Sequence, residues 1–452
     1  MSLTEKIAEY ISAAEESEEA LQKGLDCFAD TFACMILGSK DLSGEKAVKY
    51  VKTNMPGQQA SVYCKAMFQT TLEGAIFANG VFSHNCDFDD MTTAGCGHPS
   101  VPVFPLVLAI AEQRHKSGEE MLKAYMKGME VSMRMGAVSL RKGFSHGWNP
   151  TTVIGIFGAV AAASVLLGLD GKQIKNALSL AVCKAGGTRG NYGTEGKNIE
   201  VASLGIKALH CVRLAKLGIQ ASPEGMEGED GYLKCFTGDP RGEEIEKAFE
   251  KKESYLIDPG IIQKPYPTCR SNHNAIDGGI FFHNKRNKDI GQIEKIQCFI
   301  DGPSAALDLF NDPKTPEEGK FSLAYCLSLA LLDGEIKPET FLSKGKIDQR
   351  AKELMDKITI EETAEWKRPG HFINQVNMIL KDGRTEEYLG EYGKGHPKNP
   401  LTDEEKYRKF VQCLKGSFRE DRIPKLYSCL KNLAEVRDYC AIRDIVAEEM
   451  IN

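Results

Sequence analysis

"TTVIGIFGAVAAASVLLGL", residues 151–169, is the most apolar stretch of the chain, and its reading decides the fold. It is long enough to cross a bilayer. Its glycines and alanines, and the lack of a charge asymmetry at its flanks, point instead to a helix buried inside a folded domain. The segments around it carry the same helical signature. "EEALQKGLDCFADTFACMILGS" (18–39) spaces Leu21, Leu25, Phe28, Phe32 and Met35 by three and four, an amphipathic pattern. "TTLEGAIFANGVFS" (70–83), "GEEMLKAYMKGMEVSMRMGAVS" (118–139), "DGKQIKNALSLAVCKAGG" (170–187) and "EVASLGIKALHCVRLAKLG" (200–218) follow suit, the last two closing on glycine. The apolar run is therefore the central helix of a large helical domain.

The pattern changes near residue 260. "EKIQCFIDG" (294–302) alternates Ile296, Cys298 and Ile300, a strand signature. "QVNMILKDGRTEEYLG" (375–390) alternates Val376, Met378 and Leu380 ahead of an Asp-Gly turn, which predicts a hairpin. "FSLAYCLSLALLDG" (321–334) and "DQRAKELMDKI" (348–358) read as helices between these strands, and helices return from 402. The expected architecture is mostly α with an α+β part. It comprises a helical domain at 1–261, a smaller α+β lid domain at 262–400, and C-terminal helices at 401–452 that return to the first domain.

The chain has 452 residues, 42% hydrophobic and 27% charged, with a formal charge of −6. That composition gives a globular core and lacks the basic excess of nucleic-acid or membrane-surface binders, so neither partner is expected. The N-terminus shows no charged-then-apolar leader. The 14 cysteines form no CxxC pair and read as reduced thiols, which places the protein in the cytoplasm.

Four segments concentrate chemistry. "HNCDFDDMTTAGCGHPSVPVFP" (84–105) packs acids, histidines and cysteines among glycines and prolines, as a loop between two helices. His84, Cys86, Asp87, Asp89, Asp90, Cys96 and His98 are metal-ligand types, but their spacing fits no zinc or EF-hand template, so no metal is expected. "RKGFSHGWNPTTVIGIFGA" (141–159) sets His146, Trp148 and Asn149 before the apolar helix, with Thr151 and Thr152 at a start that attracts anions. "GGTRGNYGTEGKNIE" (186–200) is a glycine-rich loop, and "KPYPTCRSNHNAIDG" (264–278) lies at the domain boundary. With Lys184, just ahead of the glycine-rich loop, they gather Arg189, Lys197, Lys264 and Arg270, a cationic set suited to a polycarboxylate.

These same segments, with "KFSLAYCLSLALLDG" and "GHPKNPLTDEEKYRKF", resemble the MmgE/PrpD family along nearly the whole chain. That family includes 2-methylcitrate dehydratase, cis-aconitate decarboxylase and iminodisuccinate epimerase. The resemblance implies a helical domain with an α+β lid, a homodimer, a cleft between domains, and no metal or organic cofactor. It carries catalytic roles onto Asp87, His98, Lys197, Lys264 and Tyr325. Thr92, His146, Asn149, Arg270 and His273 are the corresponding substrate-binding candidates. His98 is expected to be the principal acid or base, with Asp87 orienting it. Three departures stand out. The span from Asp87 to His98 is one residue longer than usual, and Asn149 and Glu200 occupy positions where the family carries histidines. The reading that follows is a cofactor-independent lyase, 2-methylcitrate dehydratase-like, acting on a small di- or tricarboxylate. The alternatives are a cis-aconitate-type decarboxylase, an epimerase of an iminodisuccinate-like dicarboxylate, and an inactive carboxylate-binding protein.

Overall fold

A computed structural model describes residues 2–13, 17–95, 97–143, 147–238, 242–285, 290–363 and 372–451. His146 and Cys96, both singled out above, lie outside the described residues. Among the described residues, nine α-helices order the first half: α1 (Leu3–Ala13), α2 (Glu18–Gly38), α3 (Leu42–Asn54), α4 (Leu72–His84), α5 (Phe104–Arg114), α6 (Gly118–Gly143), α7 (Pro150–Leu167), α8 (Gly171–Val182) and α9 (Gly196–Lys216).

The apolar stretch is α7, and every residue in it except Val165 and Leu167 is buried. Among the described residues it is the one helix long and apolar enough to cross a membrane, and the protein's own core covers it. Local chemistry sets its ends. Asn149 caps the first turn, Pro150 pre-sets its φ, and Gly168 closes it in the left-handed region at φ 63°. Its small residues let neighbours approach. A Cβ on Gly158 would lie 2.0 Å from Ser132 Oγ and 2.3 Å from Gly128 O of α6.

One apolar core runs from Leu3 to Ile261 and takes in Phe410, Leu426, Ile442 and Val446 from the chain's end. The helices Asp403–Leu414 and Ile423–Lys431 pack against α2. A short hairpin, β1 (Ala60–Val62) with β2 (Phe68–Thr70), lies at its edge. Two-residue strands β3 (Met91–Thr92) and β4 (Ile261–Ile262) pair antiparallel, which ties the 84–105 segment to the approach to Lys264. That segment was expected to be only loop.

A second core lies under a four-stranded sheet of order β6-β5-β7-β8, covered by helices His273–Lys285 and Leu323–Asp333. β5 (Ile293–Ile300) and the hairpin β7 (Asn374–Leu380)–β8 (Thr385–Gly390) stand where alternation placed them, with Val376, Met378 and Leu380 buried. β6 (Ile358–Glu362), parallel to β5, corrects the helix expected over 348–358. That helix stops at Met355. β6 is an edge strand with no fully buried residue, and its Ile358–Thr359–Ile360 alternation is too short to mark a strand.

Candidate active site

The site begins where α4 ends. His84 closes the helix, and Asp87 takes a left-handed backbone at φ 47°, a conformation a short polar residue tolerates. The turn leaves carbonyls without helical partners inside the protein, and three buried lysines from distant segments satisfy them. Lys320 Nζ donates to Asn85 O at 2.6 Å, Lys264 Nζ to Asp87 O at 2.9 Å, and Lys409 Nζ to Phe88 O at 2.8 Å. Each lysine also meets a carboxylate: Glu317 at 2.8 Å, Asp87 at 3.2 Å and Asp30 at 2.8 Å, respectively.

Asp87 Oδ1 lies between Lys197 Nζ at 2.8 Å and Lys264 Nζ at 3.2 Å. Burial alone would raise this carboxyl, but Lys197, Lys264 and His98 outweigh it and hold Asp87 well below the ordinary range. α9 begins four residues earlier than its apolar pattern indicated, so Lys197 stands on the helix's first turn rather than in a loop.

His98 faces two carboxylates. Its Nδ1 is 2.8 Å from Asp89 Oδ2, a close approach that lies off the direction of a well-aligned hydrogen bond. Its Nε2 is 3.5 Å from Asp87 Oδ1. Asp89 also takes His84 Nδ1, at 3.0 Å, and the two imidazoles meet edge-on with centroids 4.7 Å apart. Burial dominates at His84 and lowers its pKa to about 4 despite Asp89. A neutral His84 donates from Nδ1 and leaves Nε2 as a bare acceptor, with no partner among the described residues. Asp89, buried but flanked by both rings, is held well below the usual carboxylate range. His98 is not a helix cap: α5 opens at Val103 without a side-chain cap, and the His98 N–H donates to Thr151 Oγ1 at 3.1 Å.

Asp90 points the other way. It accepts from the Ser100 hydroxyl at 2.5 Å, and that hydroxyl also meets Tyr125 OH at 2.5 Å. Burial raises Asp90 to about 7, with Asp30 and Asp89 adding to the shift and Ser100 opposing it. A raised folded pKa means the native state holds the proton more tightly. The resulting stability is full below the ordinary carboxyl pKa and is lost as pH climbs through about 7. Asp90→Asn, which copies the protonated form, is therefore expected to be more stable than the parent at pH 8 by roughly 1–4 kcal/mol, at about 1.4 kcal/mol per pH unit. The gain shrinks as pH falls and vanishes near pH 4, as urea unfolding at stepped pH would read out.

Asp87, His98, Lys197, Lys264 and Arg270 line one pocket, with Tyr192, Phe321, Met91, Leu307 and Cys269 as its remaining walls. Its free space is about 30 Å³, room for a water or two. Lys197 Nζ sits 5.4 Å from the ring centroids of both Tyr192 and Phe321. Arg270 is 2% exposed and donates from Nη2 to Gly393 O at 3.3 Å; its Nε and Nη1 have no partner among the described residues. Burial lowers its pKa to about 10, which still leaves it charged at neutral pH. A larger cavity of about 330 Å³, beside Asp308, Lys352 and Ile358, gathers none of these groups.

The other expected residues with described side chains are not on the walls of this pocket. The Tyr325 hydroxyl accepts from the Asp348 N–H at 2.9 Å and its ring packs on Phe341, so the tyrosine on the pocket wall is Tyr192. Thr92 donates its hydroxyl to Gly260 O at 3.3 Å, within the β3–β4 junction. His273 is buried against Tyr266, with Nε2 3.3 Å from Thr268 O. Burial, helped by Arg270 and Lys264, drives its pKa well below the usual histidine value. Lys184 and Arg189 are not among the pocket walls. The start of α7 is not an open anion site, because Asn149 takes the Thr151 N–H on Oδ1 and the Thr152 N–H on its carbonyl.

His84, Asp87, Asp89 and His98 bring four ligand-type atoms within 4.8 Å of one another. The donor set suits a divalent cation, but its carboxylates are already engaged. Lys197 and Lys264 sit on Asp87 Oδ1 at 2.8 and 3.2 Å, and Asp89 is taken up by His84 and His98. A metal ion would have to displace them.

Residues 3–244 match the MmgE/PrpD N-terminal domain, and residues 266–432 match the MmgE/PrpD C-terminal domain. The chain is 26% identical to the cis-aconitate decarboxylase of Homo sapiens over 459 residues, which covers 98% of this chain and 93% of that protein. The Mus musculus cis-aconitate decarboxylase is also 26% identical, over 428 residues, 91% of this chain and 86% of that protein. The 2-methylcitrate dehydratase of Escherichia coli K12 is 22% identical over 462 residues, 95% of this chain and 89% of that protein. With both domain types matched in order and lyases among its relatives, the chain belongs to the MmgE/PrpD family of enzymes.

Proposed function

We propose that the protein is a cofactor-independent lyase that acts on a small di- or tricarboxylate by moving a proton at the carbon next to a carboxylate. One observation carries this reading: Lys197, Lys264, Arg270 and His98 converge on a single buried pocket. Proton removal or CO₂ loss at such a carbon sends negative charge onto the adjoining carboxylate. Fixed cations in a low-dielectric pocket stabilise that charge as it develops. The unpartnered N–H groups of Arg270 suit one carboxylate and the two lysines another. His98, with Nε2 toward the pocket, carries the proton. Its Nδ1 lies nearer Asp89 than its Nε2 does to Asp87, which supports giving the orienting task to Asp89. Asp87 then serves to hold the two lysines.

The same groups serve dehydration and decarboxylation. In dehydration His98 takes the α-proton and passes it to the hydroxyl on the neighbouring carbon, which leaves as water as the double bond forms. In decarboxylation CO₂ departs and His98 protonates the carbon. The higher identity to cis-aconitate decarboxylases, 26% against 22%, sets decarboxylation beside the dehydratase reading. Incubation with a panel of polycarboxylates in D₂O, followed by NMR, separates the outcomes. Alkene formation marks a dehydratase, loss of a carboxyl carbon a decarboxylase, and α-deuteration alone an epimerase. No change in any substrate would overturn the proposal.

Because lysines and histidines take up the carboxylates, we expect full activity after exhaustive EDTA treatment. Stoichiometric metal in the purified protein, with activity lost on its removal, would refute this. The homodimer implied by the resemblance and the cytoplasmic setting read from the cysteines are carried forward as proposals. Sedimentation equilibrium at the mass of one chain would reject the dimer.

A further inference from the structure

Two buried polar atoms beside the pocket have no hydrogen-bond partner among the described residues: Asn149 Nδ2, a donor, and Glu200 Oε2, an acceptor. Each adjoins the reacting set. Glu200 lies one turn along α9 from Lys197, on the same side of the helix. Asn149 caps α7 next to Thr151, which holds the His98 backbone. The 187–192 loop grips both side chains by their other ends. Tyr192 donates to Asn149 Oδ1 at 3.3 Å, and Asn191 Nδ2 donates to Glu200 Oε1 at 2.9 Å. Gly187, at φ 117°, keeps the space beside Glu200 clear: a Cβ there would lie 3.4 Å from Oε2 and 2.4 Å from Thr152 Oγ1. Asn149 is 1% exposed, so its free N–H has no easy access to bulk water. A buried polar atom left without a partner is costly, and a donor and an acceptor left open together next to pocket-lining residues can hold a ligand group.

We propose that Asn149 and Glu200 form a substrate subsite for a group that both accepts and donates a hydrogen bond, the hydroxyl or amino substituent of a small dicarboxylate. The inference rests on the carboxylate-pocket reading above and narrows its substrate class. Lys197, Lys264 and Arg270 hold the two carboxylates, and the substituent reaches past Tyr192 between the Asn149 amide and the Glu200 carboxylate. A third carboxylate at that position would meet Glu200 with like charge in a weakly screened setting, so the subsite selects against tricarboxylates. A hydroxyl donates to Glu200 and accepts from Asn149, and a protonated amine gains the carboxylate's charge.

The test is calorimetric binding of four probes: L-malate, L-aspartate, succinate and propane-1,2,3-tricarboxylate. The parent protein is expected to bind malate or aspartate at least tenfold more tightly than either succinate or the tricarboxylate. Glu200→Gln, with folding checked by circular dichroism, should cut that preference over the tricarboxylate tenfold or more. Asn149→Asp keeps the helix cap but turns the free donor into an acceptor, and should weaken malate tenfold. Equal binding of succinate and malate, or a preference for the tricarboxylate that Glu200→Gln leaves unchanged, would overturn the subsite and leave a bridging water there. Binding of none of the four would bring down the carboxylate pocket and the subsite with it. Succinate binding that Lys264→Met abolishes would confirm the pocket independently of the subsite.

Discussion

Replacing His98 with alanine is expected to lower kcat by roughly a hundredfold or more with the fold intact, the usual scale for loss of a general acid or base. The ring fills no core position, and its backbone contact to Thr151 survives the change. The carboxylate variants sharpen the assignment. Asp89 is 2.8 Å from Nδ1, while Asp87 is 3.5 Å from Nε2 and is taken up by two lysines. Asp89→Asn should therefore lower kcat with little change in KM, because it weakens the contact that orients the ring. Asp87→Asn should instead raise KM, by releasing Lys197 and Lys264 from their fixed positions. A well-folded His98→Ala variant that keeps most of its kcat would show that the proton travels through Lys197 or another group.

The second large effect concerns a residue outside the pocket. Lys409→Met is expected to destabilise the protein by about 3–5 kcal/mol, because it leaves Asp30 buried without its cation. Lys409 is 4% exposed, pairs with Asp30 at 2.8 Å, and lies over the Phe88 ring at 3.9 Å. Its loss also frees Phe88 O, so kcat should fall with stability. Arg408→Ala, on the neighbouring exposed pair with Glu404, serves as the contrast, with an expected change of about 0.5 kcal/mol or less. Urea midpoints of the two variants decide the matter, and equal midpoints would refute the bracing role.

Much of this was legible in the sequence, for definable reasons. The run of small and apolar residues at 151–169 identified α7 because glycine and alanine mark close helix packing. Alternation found β5, β7 and β8 because each has one buried face. β6 escaped because neither of its faces is fully buried. Asp87, His98, Lys197, Lys264 and Arg270 stood out as unusual residue types in glycine- and proline-rich segments, and the fold brings all five to one pocket. Local order alone could not decide between Asp87 and Asp89, because the left-handed turn at Asp87 determines which carboxylate faces which ring. Lys320 and Lys409 were missed because a lysine within a helical or polar stretch ordinarily reads as solvated, and only the tertiary fold shows the carbonyls they reach. Tyr325 looked like a site tyrosine, but packing turns its hydroxyl toward Asp348, and Tyr192 stands at the wall instead.

The lysine-braced turn also sets a clock on biosynthesis. Asn85 and Phe88 accept from partners 235 and 321 residues further along the chain. As the chain is made, α4 and its neighbours can collapse early, but the turn that presents Asp87 and Asp89 stays without its supports until Lys320 and then the C-terminal helices arrive. Contacts of such long sequence separation close late and slowly. Catalytic competence is thus expected to appear as the final event of folding. A nascent or truncated chain that ends before Lys409 would be compact yet inert, and could neither bind nor alter its substrate prematurely.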